Sequence, residues 1–274
     1  VRFAPTATGD ATATLTASAT PGGAATATLA GTGSDPAGLA IDPSSYTFPV
    51  TAVGDSSTSQ TFTVQNLGTT TTGALAVTTD GANAADFVST NTCTTLGAGA
   101  TCTITTTFTP AAAGTRSATV SITGSPGGTA TLALVGTARP RLEIIADNGA
   151  APTDPYAFGS QVAGFGTADV IITLRNNTSS DKPLALTESY GTPAQFTTLD
   201  NTCGGTIVAN ASCAVRVQFA PTTVGTHAGT ATCSIGSGAA NQAVQDLSGT
   251  GSPLTDHPPT DLALAPSSIA ENQP

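Results

Sequence analysis

Apolar and polar residues alternate along much of this chain. In "FTVQN" (62–66) Phe62 and Val64 alternate with Thr63 and Gln65, and in "SATVSI" (117–122) Ala118, Val120 and Ile122 alternate with Ser117, Thr119 and Ser121. A period of two puts one set on a buried face and the other towards solvent, as in half-buried β-strands. Between about 39 and 136 the pattern predicts about seven strands: "LAIDP", "SQTFTVQN", "GALAVTT", "DFVST", "CTITTTF", "RSATVSI" and "TATLALVG". Gly, Pro, Asp and Asn punctuate them, and no segment carries a helical period. Seven short strands in roughly 100 residues predict an immunoglobulin-like β-sandwich.

The pattern recurs. "VRFAPTATG" (1–9), "TTFTPAAAG" (106–114) and "VQFAPTTVG" (217–225) share Phe, Pro and Gly at fixed offsets. Downstream, "LAGTGS" (29–34) returns as "LVGTA" (134–138) and "LSGTGS" (247–252). Phe48 and Phe158, Asn66 and Asn176, Phe87 and Phe196, and Cys93 and Cys203 all keep a spacing near 110. A tandem array with that period follows. The expected organisation is the closing strands of one unit at 1–34, whole units at 35–138 and 139–252, and a linker with a further strand at 253–274. The chain is thus expected to be an excerpt from a longer protein. The recurring phrase reads as a structural corner. Phe3, Phe108 and Phe219 end a strand with a large inward side chain. Pro5, Pro110 and Pro221 stop the ladder for want of an N–H, and Gly9, Gly114 and Gly225 allow the next turn.

Composition narrows the function. The chain has 274 residues, 39% hydrophobic and 9% charged, with no Trp or Met. So few large side chains mean thin cores that lean on sheet hydrogen bonds and covalent staples. The formal charge is −10 and the seven Lys and Arg do not cluster in sequence, which excludes nucleic acid as a partner. No apolar run is long enough for a helical membrane span.

The cysteines add a compartment. Cys93 and Cys102 are 9 apart, and Cys203 and Cys213, 10 apart, occupy the same register of the next unit. Each pair is expected to close a disulfide loop. Reduced thiols and a metal site remain alternatives, though two thiols without CxxC spacing or a nearby His suit zinc poorly. Disulfides persist outside the cytosol, so an extracellular, secreted or cell-surface location follows. Cys233 falls at the register of Ile122 and Ala17 and is expected to be a buried core thiol.

The series "QTFTVQNLG" (60–68), "CTTLGAGATCTITTTFTP" (93–110) and "LVGT" (134–137) resembles the bacterial choice-of-anchor D domains, part of the wider ASPM–SPD-2–Hydin group of immunoglobulin-like modules. The resemblance spans about 1–252. It implies tandem β-sandwiches in secreted or surface-attached bacterial proteins, beside other extracellular modules, and no catalytic residue. The third unit departs from it at "DNGAAPTDPYAFGS" (147–160) and "NNTSSDK" (176–182). After a Pro-rich linker, "TDLALAPSSIAENQP" (260–274) resembles the first strand of a bacterial cadherin-like domain. That likeness implies a calcium role for Glu271, with Asp256 and Asp261 as nearby oxygen donors, in a longer protein only.

No catalytic constellation is expected. His227 should be exposed at a strand opening, as should Arg116 at the same register, and His257 falls in the linker; neither His has a nucleophile beside it in sequence. Asp80 and Asp86 read as turn or solvated acids. The sequons at Asn176 and Asn210 read as exposed turns. The expected function is a non-catalytic structural or adhesive module without cofactor, part of a stalk. Its expected partners are other extracellular domains of the same chain, with a surface protein or glycan as a further candidate. The alternative is an accessory carbohydrate-binding or substrate-presenting region of a large secreted enzyme. The scarcity of aromatic rings weighs against it.

Overall fold

In the computed structural model, residues 1–7, 9–34, 36–189 and 195–255 are described. The expectations for Asp256, His257, Asp261, Glu271 and the cadherin-like strand lie outside them. Within them the chain is all-β, a tandem of immunoglobulin-like sandwiches, and its two short 3-10 segments are Ala84–Asp86 and Ala239–Asn241.

The chain begins with a hairpin of β1 (Gly9–Ala19) and β2 (Gly23–Gly33), in register from Gly9↔Gly33 to Ala19↔Gly23. The first sandwich follows. β3 (Leu39–Asp42), β4 (Ser45–Thr47) and β5 (Thr51–Ala52) form one interrupted run that changes sheets. After it come β6 (Gln60–Asn66), β7 (Ala76–Asp80), β8 (Phe87–Asn91), β9 (Thr101–Phe108), β10 (Gly114–Gly124) and β11 (Gly128–Arg139). One sheet has the order β3-β6-β9-β8. The other runs β4-β11-β10-β7, with β5 also beside β11. β4 and β5 were not legible in the alternation, because two or three residues cannot display a period. They pair parallel with β11, whereas the other ladders of this sandwich are antiparallel.

The second sandwich repeats this plan. Its strands are β12 (Leu142–Asp147), β13 (Tyr156–Val162), β14 (Ala168–Asn176), β15 (Lys182–Pro183), β16 (Ala185–Ser189), β17 (Phe196–Asn201), β18 (Thr206–Ile207), β19 (Ser212–Phe219), β20 (Gly225–Ser234) and β21 (Gln242–Ser252). β12-β14-β19-β17 faces β13-β21-β20-β16, and β13 runs parallel to β21 as β4 does to β11. β15 and β18 form a small extra pair.

Each sandwich has its own core. Phe62, Val64, Ile104, Phe108, Val120, Ile122, Leu132 and Leu134 fill the first. Leu142, Val170, Ile172, Leu174, Val215, Val217, Phe219 and Leu247 fill the second. Alternation decides which residues these are: in β9 every second side chain from Cys102 to Phe108 is buried. Sparse aromatics are spent on the same cluster twice. Phe48, Phe87 and Phe108 meet with centroids 5.0–5.8 Å apart, and Phe158, Phe196 and Phe219 at 4.9–5.6 Å. Tyr46 and Tyr156 stand edge-on to Phe48 and Phe158. Burying each Phe contributes about 1.5–3 kcal/mol, so these rings carry much of each thin core.

Candidate functional site

The corner phrases and the "LxGT" phrases prove to be two halves of one contact. The Phe108 ring lies on the backbone of Gly136, where an added Cβ would come within 2.6 Å of it; Phe219 lies likewise on Gly249 at 2.5 Å. A side chain there would displace the largest group in the core. Gly114 and Gly225 serve differently: their φ angles are +103° and +130° and open space surrounds them, so conformation alone calls for glycine. Pro110 and Pro221 are buried, and their carbonyls accept the N–H of Gly54 and Gly164 at 2.8 and 2.7 Å, fastening the loops that leave β5 and β13.

The first corner differs. Phe3 lies outside any strand and is 51% exposed, although its ring still covers Gly31 as its counterparts do. Among the described residues, no second sheet packs over β1 and β2, so nothing encloses the ring. Pro5 and Gly9, the latter at φ +106°, lead into β1.

The cysteines form two disulfides, Cys93–Cys102 and Cys203–Cys213, in equivalent loops. Cys233 is a buried thiol at 3% exposure. Each loop is tied down from within by a buried Asn at the end of the strand facing it. Asn66 Nδ2 donates to the carbonyls of Thr70, Leu96 and Gly97 at 2.7–3.1 Å, and its Oδ1 accepts the N–H of Gly38 and Gly68. Asn176 Nδ2 donates to Ser180, Ile207 and Val208, and its Oδ1 accepts the N–H and hydroxyl of Thr178. Both are wholly buried. The Asn176 sequon is therefore no exposed turn. Its side chain satisfies backbone groups that a disulfide loop cannot pair with a neighbouring strand. The one trace of this role in sequence was an Asn recurring at one register.

Two further expectations change. Asp86 is 3% exposed, not solvated. It accepts the N–H of Ala111 and forms an ion pair with Arg116, which is accordingly half-buried rather than exposed. His227 is also half-buried, with Nε2 3.0 Å from the Thr223 carbonyl oxygen, a partner that supplies no nucleophile. On the outer face of the second sandwich, hydrogen bonds from Arg216 and then Gln218 hold the Asp169 carboxyl below its ordinary pKa. Among the described residues, no group of three or more His, Cys, Asp or Glu is placed to hold a metal. No helix among them is long and apolar enough to cross a membrane.

The junction between the sandwiches is built from the loop where the third unit departs from the repeat. Arg141 Nη1 donates to the Val53 carbonyl at 3.0 Å and lies 3.9 Å from the Asp55 carboxylate. The other Asp55 oxygen accepts the Ser179 N–H at 2.7 Å, directly across the junction. On the far side, Asn177 donates its N–H to the Arg141 carbonyl and its amide to the carbonyl of Pro140 and the carboxylate of Glu143. The connecting segment is pinned from both sides.

A family match agrees with the architecture of the first sandwich. Residues 37–137 match the model of the HYDIN/CFA65/VesB-like Ig-like domain. Among solved structures, the ASH/PapD-like domain 7 of human CEP192 aligns at 18% identity over 37% of this chain and 84% of its own, with a TM-score of 0.29. The secreted serine protease VesC from Vibrio cholerae aligns at 15% identity over 68% of this chain and 47% of its own, TM-score 0.30. Zebrafish RET cadherin-like domains 1 to 4 align at 10% identity over 84% and 54%, TM-score 0.32. Similarity at that level says nothing about activity. No curated protein sequence matches. Residues 37–137 are thus similar to that Ig-like family, and the fold of the described chain is a tandem of immunoglobulin-like sandwiches.

Proposed function

We propose that this chain is a non-catalytic spacer of the choice-of-anchor D kind, carrying other extracellular domains of a secreted or surface-anchored bacterial protein away from their anchor. The pinned junction supports this reading most: Asp55, Arg141, Asn177 and Ser179 join two disulfide-stapled sandwiches through a segment with hydrogen bonds on both sides. A spacer needs such joints, because loose ones would let the array collapse. The disulfides fit an exported protein, and the charge of −10 fits a surface that repels its neighbours and nucleic acid alike. The stretch from 260 fits the start of a cadherin-like domain that would use Glu271 for calcium at the next joint.

Small-angle scattering tests the spacer. The wild type is expected to give an elongated particle with a narrow distance distribution. Asp55→Ala combined with Arg141→Ala should broaden it while both sandwiches stay folded. A wild-type profile as broad as the variant's would remove the case for a stiff spacer.

A further inference from the structure

From the geometry of this junction we infer a binding site for a tetrahedral or carboxylate oxyanion, centred on Arg139 and Arg175. A hollow of about 210 Å³ lies there, lined by Val50, Ala52, Arg139, Arg175, Asn177 and Asn210. It contains two guanidinium groups, two amides and no carboxylate.

The chain has only seven Lys and Arg against seventeen Asp and Glu. Carboxylates among the described residues pair with Arg116, Arg141 and Arg216. Two of the four cations left over, Arg139 and Arg175, face one hollow. Glu143 stands opposite Arg175 in the ladder, but its carboxylate accepts the Asn177 amide. Asp55, in the adjoining hollow, accepts the Ser179 N–H and lies beside Arg141. Arg175 Nε is buried and has no hydrogen-bond partner, a costly state for a charged donor. Two like charges around one hollow repel, and an anion between them turns that repulsion into attraction.

The repeat provides an internal control. By register with the other units, Arg139 replaces Ser34 and Ser252, Arg175 replaces Gln65, Asn177 replaces Leu67 and Asn210 replaces Gly99. All four polar liners are thus particular to this junction. Asn210 keeps the left-handed backbone of the glycine it replaces, at φ +57° against +70°, a conformation that Asn also tolerates, and brings an amide to the hollow. The Asn177 amide is engaged by Pro140 and Glu143, which leaves the two guanidinium forks and the Asn210 amide around a small hollow, donors that suit sulfate or carboxylate oxygens. A free anion and a sulfate ester or uronate on a glycan share that chemistry.

The full chain, ¹⁵N-labelled, is titrated with sodium sulfate against sodium chloride at matched ionic strength. The Nε–H signals of Arg139 and Arg175 are followed. Saturable shifts with sulfate, absent with chloride, are expected. Arg139→Ser with Arg175→Gln, each restoring the residue of another unit, should weaken binding about tenfold or more, since charge-assisted bonds supply it. Arg216→Gln should leave it unchanged. In a parallel arm, a sulfated disaccharide binding more tightly than sulfate identifies a glycan as the source, and equal binding identifies the free anion. No saturable shift with either probe, or binding that survives the double substitution, overturns the site.

Discussion

At the scale of single residues, the device that matters most in each sandwich is a polar group inside it. Asn66 and Asn176 are wholly buried, and each hydrogen-bonds backbone groups through both its amide nitrogen and its oxygen. Replacing either with Ala strands those partners in a dry environment, where each unsatisfied group costs about 1–3 kcal/mol. Asn66→Ala is expected to lower the stability of the first sandwich by about 3 kcal/mol after partial relaxation, leaving the second unaffected. Denaturant melts followed by signals from each core would show it. Asp169 offers a test of a different sort. Its carboxyl titrates below the ordinary 3.8 because Arg216, then Gln218, hydrogen-bonds the charged form. A depressed folded pKa contributes stability that is fully present above the unfolded value and is lost as pH falls through the folded one. Wild type should therefore lose more stability than Asp169→Asn on acidification below about pH 4. Equal acid sensitivity in the two proteins would show that the pair contributes nothing. These buried and paired roles were hard to read in advance. Asn66 and Asp86 are polar by type, and only tertiary partners make it favourable to bury them.

At the scale of elements, the strands that alternate over five or more residues were legible, along with the two cysteine pairings. A period of two and a repeated register leave little freedom. The fragments β4, β5, β15 and β18 were not, because they are defined by pairing and not by pattern. The disulfide loops show how elements share their stability. The carbonyls to which the Asn66 amide donates in the first loop, those of Leu96 and Gly97, lie between Cys93 and Cys102. Removing the bridge by Cys93→Ser with Cys102→Ser should cost about 2–3 kcal/mol. Adding Asn66→Ala should then cost less than it does alone, because the loop it anchors is already loose. Full additivity in denaturation experiments would show that amide and bridge act independently. The contact between corner and "LxGT" gives a sharper case. Gly249→Ala drives a methyl into the Phe219 ring and is expected to cost about 1–3 kcal/mol through overpacking. Adding Phe219→Leu should recover part of that loss.

At the scale of the molecule, the same hairpin occurs three times in different company. β1 and β2 pair over the same length and register as β10 and β11, with Gly9↔Gly33 matching Gly114↔Ala138. Leu15 and Leu29 hold the positions of Val120 and Leu134, which lie wholly within the first core. Yet every residue of β1 is exposed, Leu15 by 50%. β10 also pairs with β7, and β11 with β4 and β5, whereas β1 and β2 have only each other among the described residues. An isolated two-stranded hairpin in water is marginal, because its cross-strand hydrogen bonds barely offset the entropy of ordering it. In a repeat array, moreover, stability comes from each unit's own core and from its neighbours. Hydrogen exchange should therefore rank the three hairpins. Amides of β1 and β2 should exchange near the rate of an open chain, while those of β10, β11, β20 and β21 exchange only through opening of a whole sandwich. Attaching the strands of residues 39–108 ahead of residue 1 should bring β1 and β2 to the protection of β10 and β11. If β1 is as protected as β10 in the chain as it stands, the hairpin has found cover of its own, and the account of Phe3 as an unenclosed ring would have to be abandoned.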